Sequence, residues 1–233
     1  MFRKKIKKIE DDAFIRRLRS SVLGEGMLID GNIYLIDHAI QHLPETGAIV
    51  EVGIYGGVST NLITYLLQKY QKSHTFFNCD PWIYEGYDDQ SNPTTTIDGR
   101  DDVDRIQFME YVRNAYKNAT SLLSKIPPHT IHAKADAFFD HWDQQNTLTD
   151  IFGKTANLGG GIALAYIDGD HSYATAQSDY KNAAKHLVPG GWLLFDDSHD
   201  ALSFGSAKLM KEVLRDDRLE LVMKNPNYLF RRK

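Results

Sequence analysis

The sequence predicts an α/β chain built on a parallel sheet. Three observations predict it. Short apolar runs of strand length alternate with amphipathic helical runs along most of the 233 residues. The first clear strand ends in a glycine turn, Val50-Glu51-Val52-Gly53-Ile54-Tyr55-Gly56-Gly57-Val58-Ser59-Thr60. Later apolar runs end in acids: Cys79-Asp80, Ile167-Asp168-Gly169-Asp170 and Phe195-Asp196-Asp197. Alternating strands and helices require right-handed crossovers and a parallel sheet. Such sheets bind ligands outside the carboxyl ends of their strands, so these acids converge on the edge where chemistry is expected.

The elements follow in order. The basic start, Arg3-Lys4-Lys5 and Lys7-Lys8, reads as a solvated terminal segment. Residues 10–22 read as a helix with Phe14, Ile15, Leu18 and Val22 on one face. A second helix spans about Gly31–Leu43 and stops at Pro44. Ala48–Val52 is a strand, and the glycine turn leads into a helix carrying Leu62, Ile63, Leu66 and Leu67. His74–Cys79 is the second strand. Residues 83–104, rich in Asp, Gly, Asn and Thr with Tyr84 and Tyr87, read as an inserted loop. A helix follows over about Val103–Asn118, then a third strand at Ile131–Ala133. Asp136 is placed to cap a helix Ala137–Trp142. Ala163–Ile167 is the fourth strand, Tyr173–Leu187 a helix ended by Pro189-Gly190-Gly191, and Trp192–Phe195 the fifth strand. Ser206–Leu214 is helical. Leu219–Met223 and Tyr228–Arg231 form a closing hairpin turned at Asn225-Pro226-Asn227.

Composition narrows the function classes. The formal charge of −4 gives no broad basic field for nucleic acid. No run approaches the roughly 18 apolar residues of a membrane span. The basic N-terminus has no apolar signal core behind it. The lone Cys79 reads as a buried residue of a reducing, cytoplasmic protein. Two regions are expected: residues 1–45, N-terminal helices forming a lid or packing segment (Glu25-Gly26-Met27-Leu28 its part near the ligand), and residues 46–233, the ligand-binding domain. The amphipathic N-terminal helix also offers a face to a second copy of the chain, as in a homo-oligomer.

In the glycine turn, Gly53, Gly56 and Gly57 allow a sharp bend and close ligand approach. The helix starting at Val58-Ser59-Thr60 offers free N–H groups to an anion. The spacing departs from the dinucleotide pattern, with Tyr55 in place of the second glycine, and Glu51 repels a pyrophosphate. A zwitterion suits the turn better, its carboxylate at the amides and its ammonium near Glu51, directly or through water. Asp80 can accept hydrogen bonds from both hydroxyls of a ribose. Trp82 either packs on a base or fills core. Asp136 either accepts from an adenine amino group or only caps its helix.

Glu51-x-Gly53-x-x-x-Gly57-x-Ser59-Thr60 resembles motif I of class I S-adenosylmethionine (SAM) dependent methyltransferases, and Tyr55 makes the turn similar to that of catechol O-methyltransferase. The resemblance covers roughly residues 46–232. It implies a Rossmann-like, seven-stranded, mostly parallel sheet with a C-terminal antiparallel hairpin and helices on both faces. It also implies SAM contacts at Glu51, Gly53, Tyr55, Gly57, Ser59, Thr60, Asp80, Trp82, Asp136 and Ala137.

Asp168, Asp170, Asp196 and Asp197 should lie together, and clustered carboxylates repel. Either a hard divalent cation such as Mg²⁺ joins them, or each hydrogen-bonds to backbone. The segment Ile167-Asp168-Gly169-Asp170-His171-Ser172-Tyr173 with Asp196-Asp197 resembles the macrocin O-methyltransferase-like and cephalosporin-hydroxylase-like group, and the catechol and caffeoyl-CoA type. That resemblance implies Asp168, Asp196 and Asp197 as metal ligands and O-methylation as the activity. His171 or His199 could be the general base; His171 is preferred, and either could instead only support the site. The loop favours a polar small-molecule acceptor, such as a sugar or natural product. Two rivals are a SAM-fold protein that binds without turnover, against which the acid cluster argues, and an NAD(P)-binding oxidoreductase, against which the turn spacing argues.

Overall fold

The computed structural model describes residues 5–10, 12–83 and 105–233. The inserted loop from residue 84 onward, with Tyr84 and Tyr87, and the basic Arg3-Lys4 lie outside the described residues.

The helices are α1 (Ala13–Ser21), α2 (Asp30–Gln41), α3 (Val58–Lys69), α4 (Arg105–Leu123), α5 (Ala135–Asp143), α6 (Tyr173–His186) and α7 (Gly205–Val213). The strands are β1 (Ala48–Val52), β2 (Phe76–Cys79), β3 (His129–Ile131), β4 (Thr147–Thr149), β5 (Thr155–Asn157), β6 (Ile162–Ile167), β7 (Leu187–Phe195), β8 (Leu219–Lys224) and β9 (Tyr228–Arg232). Seven form one sheet in the order β3-β2-β1-β6-β7-β9-β8, in which β9 alone runs opposite to the others and pairs antiparallel with β7 and β8. The strand order reverses between β1 and β6, the switch point where such sheets open a crevice.

Register brings the strand ends into line. Val52 pairs with both Cys79 and Ile167, and Ile167 pairs with Phe195. The next residue of each strand therefore falls in one row: Gly53, Asp80, Asp168 and Asp196. Their N–H groups continue the ladders, to Cys79, Ile131, Val52 and Ile167 respectively.

One face of the sheet packs on α1, α2 and α3, with Leu62, Ile63 and Leu66 fully buried. Each such side chain contributes about 1.5–3 kcal/mol of burial. Asp12 caps α1 by accepting from the N–H groups of Phe14 and Ile15. Ile15, Leu18 and Val22 are buried, and Phe14 stacks on Tyr65 with ring centroids 4.0 Å apart. The apolar face of α1 is thus taken up within the chain. The other face packs on α5, α6 and α7, and Cys79 is buried there.

Several boundaries differ from the sequence expectation. The third strand ends at Ile131, because Ala133 N–H turns back to the Ile131 carbonyl at 3.0 Å. The helix after it begins at Ala135, and the residue at its cap is Lys134, which makes no side-chain capping bond. Asp136 therefore lies inside the first turn and is not the cap. Its carboxylate instead accepts from Ser178 Oγ (2.7 Å) and Asn182 Nδ2 (3.2 Å) on α6. The fifth core strand begins at Leu187, directly after α6, with Leu187 paired to Ile162 ahead of a register shift. The β4–β5 hairpin had only a short sequence signal: Leu148 and Ala156 turn to the core between exposed polar residues, and its turn is held by Asp150 accepting from Phe152 and Lys154 N–H groups.

Candidate active site

The glycine turn joins β1 to α3. Gly53 and Gly57 take left-handed φ values of 84° and 85°. A Cβ on Gly53 would stand 1.9 Å from the Asp168 carbonyl oxygen, so the turn seats directly on the end of β6. No side chain caps the start of α3. Leu23 and Gly24, between α1 and α2, press on the turn's outer side, Gly24 against the Tyr55 ring and Leu23 against Gly56.

Glu51 lies inside, fully buried. Side chains alternate along a strand, so Glu51 shares the Ile49 face and meets the start of α3. Its carboxylate accepts from Ser59 Oγ and Thr60 Oγ1, each at 2.5 Å, and from Asn78 Nδ2 at 3.0 Å. Burial pushes its carboxyl up to about 7 against these bonds, and the charge of Asp80 adds to the rise. Glu51, Ser59 and Thr60, read from sequence as ligand contacts, are hydrogen-bonded to one another, so Glu51 braces the turn.

Asp80 follows β2. Its Oδ2 accepts from the Ile54 and Tyr55 N–H groups (2.8 and 2.9 Å), and its Oδ1 from Trp82 N–H (2.6 Å). The carboxylate ties the turn to β2, and carboxylate oxygens keep further acceptor capacity for a ligand. Trp82 fills core: it is 6% exposed, packs with Ile54, Met109, Val112 and Tyr116, and donates from Nε1 to the Tyr55 carbonyl. Asp136 and Ala137 are exposed at the start of α5.

The acidic centre lies one strand away. Asp168, His171 and Asp196 each bring a ligand atom within 4.8 Å of the others. Tyr166 Oη donates to Asp168 Oδ2 at 2.9 Å. Asp196 Oδ1 accepts from Asn32 Nδ2 on α2 and from Asn227 Nδ2 in the β8–β9 turn, the latter at 3.0 Å. Asn227 Nδ2 also donates to Asn32 Oδ1 at 2.9 Å. Burial, then the adjacent Asp196, pushes the Asp168 carboxyl well above the usual carboxylate range. Asp197 is raised by burial and by Asp196.

The sequence-derived ligand set was Asp168, Asp196 and Asp197; the structure groups His171 with the first two. Asp197 has a left-handed backbone (φ 44°), and its Oδ2 stands 3.5 Å from His171 Nε2. The His171 ring also packs on Phe204, with centroids 5.6 Å apart. His199 is not in this group; its Nδ1 accepts from Ala201 N–H at 3.3 Å. Asp170 is turned to the start of α6, accepting from Ser172 N–H and Thr175 Oγ1. Sequence reasoning missed Asn32, Asn78, Tyr166 and Asn227. For Asn78 and Tyr166 the available signal was a polar side chain within an apolar strand run, Phe76-Phe77-Asn78-Cys79 and Leu164-Ala165-Tyr166-Ile167.

Solved structures share this fold. The calicheamicin methyltransferase CalS11 is 17% identical with a TM-score of 0.52, over 86% of this chain and 77% of its own. An O-methyltransferase from Bacillus cereus, in complex with S-adenosylhomocysteine (SAH), is 10% identical with a TM-score of 0.55, over 97% and 93%. TomG from Streptomyces achromogenes, an O-methyltransferase in complex with SAM, is 10% identical with a TM-score of 0.53, over 97% and 92%. No curated protein matches the chain. Residues 50–198, which run from the glycine turn through the acidic centre, match a family described as a methyltransferase domain. The chain belongs to that methyltransferase domain family.

Proposed function

We propose that the chain transfers a methyl group from SAM to a hydroxyl of a small molecule, with a divalent cation, Mg²⁺ foremost, at the acidic centre. The observation that carries this reading is the acidic group of Asp168, His171 and Asp196 beside the end of β1, where the glycine turn rests on Asp168.

The chain's residues divide the work. The start of α3 takes the carboxylate of the methyl donor. Asp80 accepts from its ribose while tying down the turn, and Asp136 and Ala137 border the base. Residues 1–45 serve as a packing segment that closes the outer side of the turn through Leu23 and Gly24.

A half-buried carboxylate, a buried one and an imidazole suit a hard cation, because like charges held this close resist joint ionisation without one. Asp168 and Asp196 would hold it, with Asp197 or His171 completing the set. When bound, the cation supplies orientation of the acceptor hydroxyl and a lowered pKa for it. Asn32, Asn227 and Tyr166 fix the two aspartates through hydrogen bonds, so little reorganisation accompanies binding. His171 accepts the hydroxyl proton. The neighbouring Asp197 carboxylate, 3.5 Å from Nε2, orients its ring.

CalS11, described as a TDP-rhamnose 3′-O-methyltransferase, supports a sugar hydroxyl as the acceptor class, in keeping with the polar composition of residues 83–104. Calorimetric titration with SAH, with and without Mg²⁺, tests the reading together with methyl transfer from SAM to a panel of nucleotide sugars and hydroxylated aromatics. Turnover insensitive to EDTA would remove the metal. Binding of NADH in place of SAH would remove the methyl donor, and SAH binding without turnover on any acceptor would favour a binding protein.

A further inference from the structure

The two amides on Asp196 come from different segments, Asn32 in the first turn of α2 and Asn227 in the β8–β9 turn. Both segments must be held still for the carboxylate to be held. Asn225 joins them. It is 5% exposed, and both polar atoms of its side chain are engaged. Its Nδ2 donates to the Gly31 carbonyl on α2 at 3.2 Å, and its backbone N–H donates to the Asn227 carbonyl at 2.9 Å. The backbones also touch directly: a Cβ on Gly31 would stand 1.8 Å from the Asn225 carbonyl oxygen.

The other bonds of that side-chain amide go to neither segment. Asn225 Oδ1 accepts from Lys7 N–H at 2.7 Å, and Nδ2 also donates to the Lys7 carbonyl at 2.9 Å. One side chain thus makes the two-way pairing of a facing strand residue with a position 218 residues away. Residues 5–10 lie in no helix or strand. Their other ties are the Lys8–Asp30 ion pair, with the Lys8 side chain 64% exposed, and the partly buried Ile9 against the core of α1, α2 and α3. An exposed ion pair holds weakly, so the buried amide is the fastening. Without Lys7 the amide would keep only its bond to Gly31, a costly state for a buried polar group. It would regain partners by turning or by admitting water, and either loosens the seat of the turn on α2.

Resting on the metal reading above, we propose that Asn225 is a positioning residue of the acidic centre and that the N-terminal segment, through it, sets cation affinity. The segment acts as a strap. Fastened, it holds α2 and the β8–β9 turn at the spacing from which Asn32 and Asn227 both reach Asp196. Released, it leaves that carboxylate free to turn, and the cation loses a prearranged ligand. The path ends on β7, separated by β6 from the glycine turn and Asp80, so SAH binding should not follow it.

Calorimetric titration of the full chain with Mg²⁺, in the presence of SAH, tests the strap. Asn225→Ala should weaken Mg²⁺ binding by roughly three- to tenfold, less than the ten- to hundredfold of a direct outer partner, while SAH affinity stays at the wild-type value. Lys7→Pro removes the N–H that donates to Asn225 and leaves Asn225 in place, so it should weaken Mg²⁺ in the same direction. Lys7→Ala removes the same side chain and charge but keeps the N–H, and it should match the wild type. If Asn225→Ala does not fold, the two Lys7 variants carry the test. Folded variants that melt earlier yet bind Mg²⁺ as the wild type does would make Asn225 a latch for the terminus only and overturn the proposal. So would a Lys7→Pro protein indistinguishable from Lys7→Ala. A wild type that binds SAH but no Mg²⁺ would overturn the metal reading and this inference with it.

Discussion

Asn32 donates its side-chain amide to Asp196, a residue 164 positions later in the chain. The helix that leads into the sheet thereby reaches under the acidic centre and fixes one of its carboxylates. Asn32→Ala removes that donor and leaves Asp196 against Asp168 with one fewer hydrogen bond. Stability should fall by about 1–3 kcal/mol, and apparent Mg²⁺ affinity should weaken by roughly ten- to hundredfold. Urea denaturation and Mg²⁺ dependence of turnover read the two effects. Unchanged Mg²⁺ dependence would leave Asn32 a structural residue only.

Metal should also register as stability. A cation that binds the folded chain at about a hundred times its dissociation constant raises stability by about 2.7 kcal/mol. Melting temperature should therefore rise with Mg²⁺ and return to the starting value with EDTA. Asp168→Asn should abolish the response. A response that persists in this variant places the cation elsewhere.

His171 touches Asp197 and also groups with Asp168 and Asp196, so its role divides by measurement. As the base, His171→Ala should lower kcat by roughly 10²–10⁴-fold while SAH and Mg²⁺ affinities stay near the wild type. A collapse of Mg²⁺ affinity would transfer His171 to the ligand set and leave the base to another group.

Gly53→Ala tests the seat of the turn. The substitution forces an L-residue to a φ of 84° and drives its methyl into the Asp168 carbonyl. A loss of about 2–4 kcal/mol is expected, with SAH affinity falling too. A stability change under 0.5 kcal/mol would show that the backbone shifts freely there.

Glu51 sets a pH dependence. Its folded carboxyl is raised from 4.5 to about 7. Below about pH 4.5 both folded and unfolded chains hold its proton, and this group costs nothing. Between about 4.5 and 7 the folded chain retains a proton that the unfolded chain releases, so stability falls as pH rises, by about 3 kcal/mol in full. Glu51→Gln should remove that slope. Denaturation curves from pH 4.5 to 8 that stay parallel for the two proteins would refute it.

The sheet and the row of strand-end residues were legible in the sequence because each strand is a short apolar run, and register follows from parallel pairing. The directions of the acids were not. Glu51 stands beside the glycine turn in sequence, but the alternation of β1 turns it inward to Ser59 and Thr60. Asp80 was read for its place, and its bonds to Ile54 and Tyr55 N–H groups depend on a turn conformation that composition does not encode. Asp136 was misread because the third strand ends two residues early, which moves the helix start ahead of it. Asn32 and Asn227 act on Asp196 across long separations, and a single asparagine in a helix or turn carries no local mark of such a partner.

The clasp on Asp196 also constrains how the protein comes into being. Its two amide donors lie 195 residues apart, one made before the first strand of the parallel sheet and the other after every parallel strand up to β7. A nascent chain that has passed Asp197 already holds the entire glycine turn and all the acids, yet it still lacks Asn227. The competence of the acidic centre is thereby tied to the final hairpin, and a truncated translation product would carry the cofactor crevice with one of its carboxylates left half-secured.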